Sequence, residues 1–204
     1  MTPRRGSPQS FLPLMYPKPL YLELLHFQPS VTTLRALQRC VVRTRNYSED
    51  IAAMLAHDNW RYHLIACAAL SAVQPSPTAT RSLWSAFERD SWVTPQIAAT
   101  VCACDPDFVA NATRRLARAS IVHPSQPVVR PIDPIPGATS LEVAPKAFFA
   151  LVGLLLHERA HDGDLRERIE DFGVQTAWAR DREDEDGEQL ATSWLALARL
   201  ARLG

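Results

Sequence analysis

Long hydrophobic runs are missing from this chain of 204 residues. No stretch reaches the roughly 18 to 20 apolar residues of a membrane span, and the longest, Ala147 to Leu156, reads as a buried core helix. Glycine is scarce, at seven residues. That leaves little room for a glycine-rich phosphate loop or a G-x-S-x-G nucleophile elbow, and neither pattern occurs. Net charge is also absent: 22 bases face 22 acids. The balance argues against a cationic nucleic-acid coat and against an acidic disordered protein. The four cysteines, Cys40, Cys67, Cys102 and Cys104, are too few for a disulfide scaffold, and no pair has the two-residue gap of a zinc ribbon or a redox motif. They are expected to be small hydrophobes in helix cores, which fits a reducing, cytoplasmic location. Lysine occurs at two positions, Lys18 and Lys146, so nearly all positive charge is arginine; its spread along the chain reads as compositional bias.

What is present is helix. Residues 1–19, rich in Pro and Ser, are expected to form a flexible leader. Leu20 to Phe27 predicts a short helix closed by Pro29. Val31 to Arg45 has helical apolar spacing at Leu34, Leu37 and Val41, and Ser48 is placed to cap a segment holding Ile51, Met54 and Leu55. Asn59 to Val73 and Ser82 to Glu88 follow. Thr94-Pro95 and Asp105-Pro106 are helix openings, each with a capping side chain and a proline behind it. No run of strand-like alternation stands out, although Val128 and Val129 offer a brief extended piece. Six prolines between Pro124 and Pro145 mark a linker or crossing loop. Asp164 with Glu167, and Asp186 with Gln189, predict two further openings. Leu190, Trp194, Leu197 and Ala201 form a stripe expected to dock on the rest of the protein. The divisions are a leader at 1–19, a repeat region at 20–122, a Pro-rich crossing at 123–145 and a C-terminal helical unit at 146–204.

A shift of 32 residues superposes Ile51 on Leu83, Leu55 on Phe87, Asp58 on Asp90, Trp60 on Trp92, Ile65 on Ile97 and Ala66 on Ala98. Each copy is a short helix, an Asp-polar-Trp turn and an Ala-rich helix. The stretch LAHDNWRYHLIACAAL, Leu55 to Leu70, resembles a HEAT-type repeat, and ERDSWVTPQIAATVC is similar with Val93 in place of Arg61. The resemblance covers residues 48–119. It implies an all-α fold of HEAT-like stacked helical hairpins, an α-solenoid, followed by the Pro-rich crossing and the C-terminal unit. It also implies a non-catalytic interaction module, an adaptor or scaffold whose partner is another protein. Trp60 and Trp92 are expected to pack between helices, and Asp58 and Asp90 to cap them.

Two alternatives rest on other residues. His157-Glu158-Arg159-Ala160-His161 matches H-E-x-x-H, in which histidines four apart on a helix share Zn²⁺ and the glutamate activates its water. A zinc-dependent hydrolase would therefore use His157, Glu158 and His161, with Glu167, Glu170 or Asp171 as third ligand. The favoured reading places the histidines in a last helical turn, where they suit the helix dipole. The second alternative is a nucleic-acid binder. Arg35, Arg39 and Arg43 form an i, i+4, i+8 row, and residues 1–48 hold seven bases and one acid. The neutral total charge weighs against it. The acidic run Asp181 to Glu188 fails the EF-hand spacing and reads as a solvated face.

Overall fold

The computed structural model describes residues 9–15, 19–44, 46–73, 75–89, 91–121, 141–158, 167 and 185–203. Among these the chain is predominantly helical, as expected. A 3₁₀ turn over Gln9–Leu14 precedes α1 (Tyr21–Leu25), α2 (Val31–Arg43), α3 (Tyr47–Leu55), α4 (Trp60–Ser71), α5 (Pro77–Glu88), α6 (Thr94–Cys104) and α7 (Phe108–Leu116). After a strand pair come α8 (Pro145–Glu158) and α9 (Glu185–Leu203).

Helix starts show where short-range chemistry governs and where it is overruled. Ser30 and Ser76 accept hydrogen bonds from Thr33 N and Ala79 N, both at 3.2 Å, and so cap α2 and α5. Pro77 at the first turn lets α5 begin five residues before Ser82, because the missing N–H there has no intrahelical partner anyway. Asn59 caps α4 through Arg61 N (3.1 Å), whereas Asp58 is exposed; Asp90 lies outside the described residues. Ser48 is not the cap of α3, which starts one residue earlier; its hydroxyl donates to Ser76 Oγ (3.1 Å) and links two helix starts. Thr94 likewise does not cap α6, since its hydroxyl is drawn to the carbonyl of Ser91. Asp105 closes a turn onto Asp107 N (3.0 Å), and α7 begins at Phe108.

Strand among the described residues is confined to one short pair, which leaves the all-α expectation standing. Ala119–Ile121 runs parallel to Leu141–Val143, with Ala119 opposite Leu141. Three-residue segments are too short to show alternation, and a parallel pair needs a long crossover, here residues 122–140. Val128 and Val129 lie in that crossover, outside the described residues.

The core is continuous. α3 packs on α4, α5 on α6 and α7 on α8; α3 also neighbours α5, α4 neighbours α6, and α6 neighbours α8. α9 lies against α6 and α8 and reaches α4. Covered from several sides, α4, α6 and α8 are buried almost all round, which accounts for their Ala-rich, nearly unstriped sequences. The stripe of α9 is Ala191, Trp194, Leu195 and Ala198, with Leu190 and Leu197 half-buried beside it. All four cysteines are buried free thiols. Burial pushes Cys67 and Cys102 up to about 12, so both stay protonated and inert. Among the described residues no helix is long and apolar enough to cross a membrane.

Candidate functional site

Three groups of side chains come from the sequence expectations. The first is the arginine row. Ser30 starts α2 so that Thr33, Ala36, Leu37 and Cys40 face the core. Arg35, Arg39 and Arg43 then fall on the opposite, exposed side, together with Gln38 and Val42. They line a shallow cleft of about 500 Å³ with Thr32. Periodicity identified the arginines, but it had not marked Val42, which is 84% exposed and breaks the apolar stripe.

The second is the H-E-x-x-H segment. His157 occupies the last turn of α8, the placement its dipole favours, and is exposed. Arg199 of α9 donates to the Glu158 carboxylate in an ion pair and toward His157 Nε2 (3.3 Å). The Glu158 carboxylate also lies near the Cys102 thiol and helps to raise its pKa, after burial. The described half of the motif thus fastens α9 to α8 and α6, with Glu158 held by a guanidinium. His161, Glu170 and Asp171 lie outside the described residues, and Glu167 is exposed. Among the described residues, no three of His, Cys, Asp and Glu gather where they could hold a metal ion.

The third is the tryptophan pair. Trp60 packs as expected: Tyr21 meets it edge-on at 5.8 Å, and the Arg61 guanidinium lies 4.7 Å from its ring centre. Arg61 Nε donates to Tyr21 Oη at 2.8 Å, which fixes the cation in place. Trp92 departs from the expectation of helix packing. It leans on Trp60, with ring centres 4.7 Å apart and planes tilted by 54°, but is 59% exposed. Repeat-matched positions share an environment only where another hairpin covers both, and here the indole at the second position emerges into solvent. Lys146, at the start of α8, places its ammonium 5.6 Å from the Trp92 ring, close enough for a cation–π contact. The result is a surface of two indoles bordered by Arg61 and Lys146 at the starts of α4, α6 and α8.

Two constellations had no sequence signal. His63 Nδ1 lies 2.7 Å from Ser91 Oγ, and its Nε2 lies 2.6 Å from the His57 carbonyl. Burial holds its pKa below 6.5, so the ring is neutral. Between α5 and α7, a cleft of about 740 Å³ has Trp84 at its base. Arg115 lies flat over that indole at 3.8 Å and pairs with Glu88 at 2.9 Å. Trp84 Nε1 donates to Asp105 Oδ2 (2.7 Å), which also accepts from Asn111 Nδ2 (2.9 Å). These polar groups satisfy one another and tie α5 to α7. Trp84–Asp105, Arg115–Glu88 and His63–Ser91 are 21, 27 and 28 residues apart and leave no spacing signature.

No protein-family model matches the chain, and no curated protein and no solved structure matches it either.

Proposed function

We propose that the chain is a non-catalytic helical-repeat protein that docks a partner protein. Its hairpins α3–α4 and α5–α6 are read as a HEAT-like stack. The neighbour relations within that stack support this: first helices meet first helices, and second helices meet second helices. α9 occupies the face of α6 and α8, so partner contact falls to a different surface. The buried thiols fit a reducing compartment such as the cytoplasm.

The carrying observation is Trp92, 59% exposed on top of Trp60 and flanked by Arg61 and Lys146. Trp, Tyr and Arg dominate the energetic centres of protein interfaces, because large rigid rings bury much area at little entropy cost. The tilted contact with Trp60 restricts the exposed ring on one side. A photo-crosslinking amino acid at position 92, in cells of the source organism, is expected to give one discrete adduct. The adduct should disappear in Arg61→Glu and Lys146→Glu backgrounds. No adduct at 92, or the same adducts from exposed position 81 on α5, would overturn the reading.

A further inference from the structure

We infer that the outer face of α2 is a second binding surface, one that takes the phosphate backbone of duplex DNA. Arg35, Arg39 and Arg43 are exposed and stand one turn apart, about 6 Å per step along the helix. Arg39 Nε donates to the Arg35 carbonyl at 3.2 Å, which lays its side chain back along the helix. Among the described residues no carboxylate pairs with any of the three. α2 itself contains no acid, and neither the 3₁₀ turn nor α4, which pack against it, contains one. Glu23, an acid that contacts the start of α2, bonds to Ser30 N (2.8 Å) and Thr33 Oγ1 (2.6 Å) there. The row is therefore an uncompensated line of guanidinium forks on a helix whose other side is anchored in the core.

Guanidinium matches phosphate through paired N–H donors, and an even line of charges suits a polymer whose charges repeat. A cleft of about 500 Å³ lies along the row, and a second of about 370 Å³ opens toward Pro13 with Arg39 and Arg43 on the border of both. Val42 and Gln38 stand between the arginines, where a helix seated in a major groove would present them to a thymine methyl and an adenine edge. A protein helix is the poorer occupant. Docking one requires a row of apolar anchors, and the cleft is lined by Val42 among Thr32, Gln38 and the arginines, with Leu34 the one other large apolar side chain of α2 that is exposed among the described residues. This surface shares no residue with the Trp92 patch, so either can fail without the other.

The test is fluorescence anisotropy of the full chain with a labelled duplex of roughly twenty base pairs in about 50 mM salt. Saturable binding is expected, with a slope of log K against log salt near −2.7, about 0.9 for each of three phosphates. The Arg35→Gln/Arg39→Gln/Arg43→Gln variant should lose at least about tenfold in affinity, with far-UV circular dichroism unchanged. Single Arg→Gln variants, each lowering the slope by about 0.9, replace the triple variant should it fail to fold. Arg81→Glu, on the outer side of α5, should bind as the parent does. Four results would each overturn the inference. They are no binding at low salt, variants that bind within about twofold of the parent, an equal loss in Arg81→Glu, and displacement by poly-L-glutamate as effective as by unlabelled duplex.

Discussion

His63 is 5% exposed, and its two ring nitrogens are already committed. The His57 carbonyl can only accept, so Nε2 carries the proton and Nδ1 accepts from the Ser91 hydroxyl. Burial is the main cause of its pKa lying below 6.5, opposed by the hydrogen bond to the His57 carbonyl and reinforced by the nearby Arg89 charge. The fold therefore favours the neutral ring. That stability is fully present above 6.5 and is lost as pH falls through the depressed folded value. The thermal midpoint of the parent should fall between pH 7 and pH 5. His63→Gln should be less stable at pH 7 yet flatter over the same interval. A flat parent profile would contradict this account. Two indoles, Trp194 and Trp92, give a second ordering. Trp194 is 1% exposed, and Trp194→Ala should cost about 3–5 kcal/mol. Trp92→Ala should cost under about 1 kcal/mol, since most of its ring is already in water. Urea unfolding measures both, and equal losses would show that Trp92 is structural. The pairing of Trp60 with Trp92 was legible as a repeat at a shift of 32 residues. Their unequal burial was not, because a repeat states which residues correspond and says nothing of what covers each copy.

Helices were the most legible elements, and their ends the least. Apolar spacing located α2, α4 and α8 because burial on one or all faces must appear in sequence as period or its absence. The start of α5 was missed because Pro77 resembles a breaker until Ser76 is recognised as the cap before it. The crossing of α8 and α9 is another feature no pattern revealed. The two run in the same direction: Gly187 meets Lys146 near their starts, and Arg199 meets Glu158 near the end of α8. A Cβ at position 187 would stand 2.8 Å from the Lys146 backbone oxygen, which cannot move without shifting the helix. A Cβ at 153 would meet the Glu188 side chain, Cγ first, rather than backbone. Gly187→Ala should therefore cost about 1–3 kcal/mol. Gly153→Ala should cost less, because relief of glycine's helix penalty of about 1 kcal/mol partly offsets the displaced glutamate. Chemical denaturation of the two variants checks the contrast, and the reverse order would refute it.

Both ends of the described chain converge on Trp194. Its Nε1 donates to Thr100 Oγ1 (2.9 Å) in α6, and Phe27 meets its ring edge-on at 5.9 Å. Phe27 ends α1 with φ 55, the left-handed position usually given to glycine. Phe27 N bonds to Leu24 O (3.2 Å) and Gln28 N to Glu23 O (3.0 Å), so the helix-closing turn is complete despite its bulky residue. A left-handed L-residue costs about 1–2 kcal/mol, and the half-buried ring against Trp194 offsets that cost. Phe27→Ala keeps the strain and loses the ring, whereas Phe27→Gly loses the ring but relieves the strain. The glycine variant should therefore be the more stable of the two by about 1 kcal/mol, with both below the parent. The same bridge joins α1, α6 and α9 across most of the chain, so the molecule should unfold as one unit. Calorimetry should show a single transition in the parent, and tryptophan fluorescence should report the same midpoint as far-UV circular dichroism. In Phe27→Ala that one transition should move to lower temperature without splitting. An α9 that melts separately in either protein would mean that Phe27 and Trp194 touch without coupling the ends of the fold.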